Sequence, residues 1–272
     1  MNKKIDLDTT RSEFGGIKGL FEVLLRRFKV IMHIATMIPV YFLACLVLGA
    51  CLIPGISLYR AISELTAGQA TLIQNAAYGL TFAIGFFMYG VSMIFMAPAL
   101  NFVLVRRLKE WRGPYYSAES LKWFIHNGLT YLVRFTFLEF VTPSPLGILF
   151  YQMMGMKIGR GVQINSTWIS DPSLIDIGDK STIGGSVTLA AHYGQGGLLV
   201  IAPIKIGAAC TIGIKATIMG GVTVGDGAKL LPNSVLLPKT IVPAGETWGG
   251  VPAQKIELKH FYGKTKDGKE SA

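Results

Sequence analysis

The chain has 272 residues, 51% of them hydrophobic and only 15% charged, with a net charge of +10. A soluble domain is nearer a quarter charged, so this balance, with a mean hydropathy of +0.46, excludes intrinsic disorder and argues against an ordinary cytosolic enzyme. Glycine, at 32 residues, is well above the usual share of about 7%, so part of the chain makes many tight turns. Cys45, Cys51 and Cys210 form no CxxC and no Cys/His cluster, which predicts buried thiols with neither a disulfide nor a metal site.

The first half has the composition of a membrane domain, placed at residues 1–116. Val30 to Tyr59 and Leu65 to Val105 contain no Asp, Glu, Lys or Arg. About 20 apolar residues cross a bilayer, so two transmembrane helices are predicted near 31–53 and 75–102. The first run is too long for a signal peptide and lacks a small-residue cleavage pattern, so it is predicted to be retained. Lys18, Arg26, Arg27 and Lys29 precede the first span, and Arg106, Arg107, Lys109 and Arg112 follow the second. The loop between them carries only Arg60 and Glu64. Positive residues stay on the cytoplasmic side, which predicts a multi-pass protein of the inner (cytoplasmic) membrane with both termini in the cytoplasm. Topology and lipid headgroups thus account for the basic charge, and nucleic acid is not an expected partner. Pro39, Pro54 and Pro98 fall in or at the ends of the spans, where kinks are tolerated. Gly79, Gly85 and Gly90 are candidates for close helix approach. His33 reads as an interfacial residue.

Residues 117–154 form a connector. Leu121 to Phe135 mixes aromatics with scattered charge, which predicts an interfacial helix containing His126. Thr142-Pro143-Ser144-Pro145 ends any helix there.

The second half is periodic. Ile206, Ile212, Ile218, Val224, Leu230, Leu236, Val242 and Trp248 lie six residues apart, and glycine follows at 207, 213, 225 and 249. An earlier block shows Ile158-Gly159, Ile164, Ile177-Gly178, Ile183-Gly184 and Leu189. Hexapeptide periodicity signals a parallel β-helix. Each hexad supplies a short strand and a corner, three hexads make a triangular coil, and the aliphatic residue points inward onto its counterparts. Glycine and small residues suit the crowded corners and their backbone angles. No coil buries its face alone, so the array is stable only as a stack.

On these Ile-Gly hexads and the segment Gly249-Gly250-Val251-Pro252-Ala253, residues 155–256 resemble the left-handed β-helix acyltransferases with hexapeptide repeats. The segment Phe150 to Gly159 is also similar to the membrane-embedded terminal domains of peptide synthetases. The fold class expected is therefore N-terminal transmembrane α-helices plus interfacial helices, followed by an all-β left-handed parallel β-helix and a mobile basic tail at 257–272 with Lys264, Lys266 and Lys269.

Seventeen residues separate Leu189 from Ile206, which is not a multiple of six, so residues 191–203 are predicted to leave the prism as a loop. Loops of that length are usually functional or mobile. In the resembled family a histidine ahead of such a loop, and of a Pro-x-x-Ile-Gly restart like Pro203 to Gly207, is the catalytic base. That marks His192. An activated thioester needs only deprotonation of the attacking hydroxyl or amine and good positioning, which suits imidazole; from position alone, a surface histidine at a loop root fits equally. His126 and His260 are weaker candidates. Asp171, Asp176 and Glu139 are possible orienters of His192, although Asp171-Pro172 reads first as a turn cap.

The resemblance implies an acyl-CoA or acyl-carrier thioester donor, no metal, and a homotrimer with sites between prisms. Gly213 and Ala216 would admit the thioester arm. Lys239 and Lys255 would meet its phosphates or stand as solvated lysines. Trp248 would cap the core or cover an adenine. The run Leu198-Leu199-Val200-Ile201 would meet an apolar part of a substrate or pack on the protein. The reading is a membrane-anchored acyltransferase acting on a hydroxyl or amine of a lipid-linked or membrane-proximal acceptor, with membrane lipids as partners. Condensation of aminoacyl thioesters with a separate carrier protein, and a non-catalytic trimeric scaffold, are the rival readings.

Overall fold

Both apolar runs fold as helices longer than the predicted spans. The computed structural model describes residues 10–12 and 14–257; the expectations for His260 and the tail from 258 onward lie outside them, as does the His33 side chain. Helices α1 (Gly16–Arg27), α2 (Lys29–Leu65) and α3 (Thr71–Leu104) follow one another. Hydropathy marks only the uncharged stretch of α2. The helix itself continues past Arg60 and Glu64 and ends before Gly68, whose φ of +83° turns the chain. Pro39 and Pro54 lie inside α2 and Pro98 inside α3. Both helices are long and apolar enough to cross a membrane.

Helices α2 and α3 pack antiparallel. Gly55 meets Gly85, where an added Cβ would stand 3.2 Å from the Gly85 Cα. Further along, Tyr59 stacks on Phe82 at 5.5 Å, and the Ser63 and Tyr78 hydroxyls lie 3.3 Å apart. Gly85 is therefore a close-approach residue. Gly90 serves a different neighbour, since a Cβ there would overlap the Phe137 ring. Gly79 faces open space and permits no close approach.

Helix α4 (Ala118–Thr136) begins with a capping box in which the Ser117 and Ser120 side chains each accept from the other's backbone N–H. A helix is thus present where one was expected, and it packs on α3: His126, Thr130, Val133 and Arg134 are buried, and His126 Nδ1 lies 2.8 Å from Asn101 Oδ1. The two prolines do not simply terminate structure. Pro145 opens α5 (Pro145–Met153) at its first turn, with Ser144 as N-cap, because a proline there gives up no helical hydrogen bond. On its other side α1 is tied to α4 by Lys18–Glu119 at 2.9 Å.

The chain divides into two compact units. The first holds residues up to Gly155 plus Gly194–Val200, and the second holds Met156–Tyr193 with Ile201 onward. The second unit is a left-handed parallel β-helix of hexapeptide repeats. Three columns of side chains fill it. Ile158, Ile177, Ile206, Val224 and Val242 stack in one. Ile164, Ile183, Ile212, Leu230 and Trp248 stack in the next. Ile169, Leu189, Ile218 and Leu236 complete the triangle. The apolar driving force per side chain, about 1.5–3 kcal/mol for full burial, accrues only when a coil has neighbours above and below.

The glycine that follows each inward residue has a different purpose from the one expected. Its φ is not positive; the left-handed residues lie two positions on, at Lys180, Ser186, Ala209, Lys215 and Gly227. What the glycine supplies is room for the next coil. A Cβ at Gly178 would stand 2.5 Å from the Ala208 nitrogen, and one at Gly225 would stand 2.5 Å from that of Ala244. Trp248 ends its column half-buried, its Nε1 donating to Glu246 at 2.8 Å, with the Ala253–Lys255 strand paired antiparallel outside it.

Candidate active site

The interruption in the repeat is a β-hairpin. Ile177 and Ile206 pair directly, although eleven more residues separate them than the 18 between Ile206 and Val224. The strands His192–Gln195 and Leu198–Ile201 form the hairpin, and Gly196 and Gly197 turn it with φ of +57° and +75°. Two positive angles in a two-residue turn match the twist of the paired strands. The Ala202 amide donates to the Ala191 carbonyl at 2.9 Å and closes the base. The Leu198–Ile201 strand lies between the His192–Gln195 strand and Trp111–Pro114. All four of its residues are buried, so this aliphatic run packs within the protein and presents no open apolar face.

His192 stands at the hairpin root, 22% exposed at its side chain, with Nδ1 2.5 Å from Asp171 Oδ2. Asp171 is fully buried. It comes from the preceding coil, where Ser170 pairs with Ala190. Its backbone sits at φ +59°, ψ +48°, a left-handed conformation that Asp tolerates better than most residues. Asp171 is therefore more than a cap for the turn at Pro172: its carboxylate points at the imidazole. A carboxylate accepts, so in this contact Nδ1 is the donor. Of the other possible orienters, Asp176 faces Lys157 at 3.4 Å and Glu139 lies in the first unit.

The next two coils continue this corner. Gly220 lies directly over His192, and a Cβ there would stand 3.2 Å from the His192 nitrogen. Gly221 has φ +84°. Gly220 thus packs on the backbone of Ala191 and Ala202 in the coil before it, and the Lys239 side chain lies over Gly221, where a Cβ would stand 3.0 Å from Lys239 Cγ. One coil further, the Lys239 amide donates to the Gly220 carbonyl at 3.3 Å. Two coil spacings separate His192 from Lys239 along the stack, roughly 10 Å, and Lys239 is exposed.

The other expected binding residues are elsewhere. Gly213 sits on a different corner, where a Cβ would stand 2.5 Å from the Pro232 nitrogen; its small size serves coil stacking. Ala216 is wholly buried, so its methyl group belongs to the core and lines no slot. Lys255 is near the end of the stack, its Nζ 2.6 Å from Glu246 Oε1. That contact raises the Lys255 pKa and lowers that of Glu246. Sequence reasoning did not single out the Gly220-Gly221 corner, whose Gly-Gly pair lies one coil short of Pro238-Lys239. Among the described residues no three His, Cys, Asp or Glu side chains converge on a metal-sized site.

Residues 203–238, which include the Gly220-Gly221 corner, match the model of the bacterial transferase hexapeptide family (six repeats). The chain is 28% identical over 170 residues to delta-poly-L-ornithine synthetase of Acinetobacter baumannii, a match covering 61% of this chain and 12% of the synthetase. It is 29% identical over 161 residues to YvoF of Bacillus subtilis, a proposed acetyltransferase, covering 56% of this chain and 92% of YvoF. The hexapeptide-repeat acetyltransferase VCA0836 of Vibrio cholerae, solved with acetyl coenzyme A, superposes with a TM-score of 0.41 at 19% identity, covering 53% of this chain and 90% of that one.

Proposed function

We propose that this protein is a membrane-anchored acyltransferase with His192 as general base and Asp171 as its positioning residue. The observation that carries the reading is the Asp171–His192 pair at the one prism corner interrupted by a hairpin. The acceptor hydroxyl or amine gives its proton to Nε2 as it attacks the thioester carbonyl. Asp171 holds the ring and offsets the imidazolium charge that forms. Expulsion of the thiolate, which takes the proton back from the imidazolium, completes transfer and restores the base. The donor is a coenzyme A or carrier thioester lying along this corner, with Lys239 as the cation for its phosphates.

Helices α2 and α3 anchor the enzyme. Their outer faces expose Ile34, Phe42, Leu46, Leu72, Phe95 and Phe102, which a bilayer would cover. Because the two helices are antiparallel, the basic groups before α2 and after α3 fall at one end, and the positive-inside rule assigns that end to the cytoplasm. A lipid-linked or membrane-proximal acceptor follows from that placement. A homotrimer with sites between prisms is part of the same reading.

The test is His192→Ala in purified full-length protein. Expression and assembly persist while acyl transfer is lost; wild-type turnover by this variant removes the mechanism. The match to the ornithine synthetase favours a second reading, condensation of aminoacyl thioesters delivered by a separate carrier protein. Retention of a loaded carrier, with no binding of coenzyme A, would select it.

A further inference from the structure

Helix α1 turns an apolar face outward among the described residues. Ile17 is 89% exposed, Leu20 63% and Phe28 46%, and Phe21 and Leu24 between them are half-buried. At 3.6 residues per turn these five side chains fall on one side of the helix. The remaining sides are occupied. Glu22 and Leu25 are buried. Glu22 accepts from Arg26 at 3.0 Å and from the Ser12 hydroxyl, and Lys18 reaches Glu119 of α4 at 2.9 Å. The helix is thus fixed to its own unit by one side and open on the other.

Its position and its charge limit what can cover the open face. Only Phe28 separates α1 from α2, and its φ of −114° with ψ of +40° breaks the helix between them. The end of α1 therefore stands where α2 begins its apolar run. The 12 residues of α1 extend about 18 Å, too short to cross roughly 30 Å of hydrocarbon, so the face can meet lipid only by lying along the interface. Lys18 on one flank, Arg27 on the other and Lys29 at the start of α2 are exposed. The single acid within the helix is Glu22, already buried against Arg26. A second α1 laid face to face would set cationic flanks against cationic flanks, with no exposed acid on either helix to answer them. Anionic headgroups complement both flanks, and each exposed Lys or Arg strengthens attachment to such a surface by roughly fivefold.

We propose that α1 is a recognition element for anionic phospholipid, lying along the cytoplasmic leaflet with Ile17, Leu20 and Leu24 among the acyl chains and Arg27 and Lys29 at the phosphates. The proposal rests on the reading that α2 crosses a membrane from its cytoplasmic side. Through the Lys18–Glu119 pair, α1 then also ties the start of α4 to the leaflet.

The experiment places a nitroxide on the full chain carrying Ile17→Cys, Leu20→Cys or Leu24→Cys, one at a time, in a Cys45→Ser background that removes the exposed native thiol. The protein is reconstituted in phosphatidylcholine vesicles with or without phosphatidylglycerol. Collisions with lipid-soluble oxygen and with a water-soluble nickel chelate are compared. With phosphatidylglycerol, the oxygen-to-nickel ratio at all three sites should stand several-fold above that of Lys180→Cys, an exposed position on the prism. Without it, the ratio should fall toward the Lys180 value. Replacing Arg27 and Lys29, both exposed, by Gln should abolish the response to phosphatidylglycerol. Nickel access equal to that at Lys180 in both vesicles overturns the proposal, as do equal ratios with and without phosphatidylglycerol or a Gln variant that keeps the wild-type response. Shelter from both probes, or dipolar broadening between labels on two copies, marks a protein cover and does the same. A label at Leu46→Cys tests the membrane separately: nickel access there refutes the spanning of α2, a distinct result.

Discussion

Replacing Asp171 by Asn isolates the charge on the carboxylate that faces His192. Asn keeps the volume of the side chain and tolerates the left-handed backbone at φ +59°, so the coil should not shift. The chemistry changes in either orientation of the amide. With its NH2 toward the ring, the proton moves to Nε2 and the lone pair that accepts from the acceptor is gone. With its oxygen toward the ring, the tautomer survives but the imidazolium loses its countercharge. Because Asp171 is wholly buried, water cannot replace that charge. By analogy with the serine-protease triad, kcat falls by about 10²–10⁴-fold, or about 2.7–5.5 kcal/mol of transition-state stabilisation. The donor KM stays near the wild-type value, since Asp171 lies beneath the imidazole and the proposed donor track runs the other way, over Gly220 toward Lys239. The assay follows thiol release from acyl-CoA in membranes carrying the protein, with thermal unfolding measured in parallel. Asp171→Ala serves as contrast: it also disfavours the left-handed turn by about 1–2 kcal/mol, so it should lower stability as well as rate. An Asn variant with wild-type kcat would refute the role assigned to the pair.

Three further outcomes follow from packing and charge. Leu189→Ala removes a wholly buried rung between Ile169 and Ile218 and should cost about 2–5 kcal/mol, read as a lowered midpoint of denaturant unfolding; an unchanged midpoint contradicts the column packing. Gly90→Ala drives a methyl group into the Phe137 ring and should destabilise by about 1–3 kcal/mol, with partial rescue by Phe137→Leu, whereas Gly79→Ala, facing open space, should be tolerated. Burial alone would raise the Glu119 pKa, but hydrogen bonds from Lys18 and Lys122 outweigh it and hold the carboxyl below its ordinary value. A carboxyl lowered on folding contributes stability above its unfolded pKa of about 4.3, and loses it as pH falls through the folded value. The protection of α1 amides, taken relative to the intrinsic exchange rate at each pH, should therefore fall on acidification, and in Glu119→Gln that fall should be absent.

The hexads were legible because a stacked coil imposes one inward position every six residues and tolerates no exception from Ile206 to Trp248. The hairpin announced itself the same way, as a break in that count. Asp171 was harder to assign because the first coil does not keep the period: Ile164 and Ile183 are 19 apart and Ile169 and Leu189 are 20 apart, so counting by 18 does not align Asp171 with His192. At Gly213 and Ala216 a small residue signals crowding without saying by what; here the next coil and the core crowd them. The ends of α2 and α3 were displaced because hydropathy measures what a helix would bury in lipid, while the helix ends where Gly68 turns the backbone. Residues 111–114 gave no strand signal, since their pairing partner Leu198–Ile201 is more than 80 positions away.

The hairpin at His192 adds eleven residues and yet Ile206 still lands squarely on Ile177. A stacked prism can thus be edited at a corner like a shelf from which a bracket is hung: the bracket may lengthen, shorten or change its chemistry while the load-carrying tiers keep their places. Diversification of what such a corner binds need not be traded against the ability to fold, so descendants of such a scaffold are free to drift in preference long before they drift in shape.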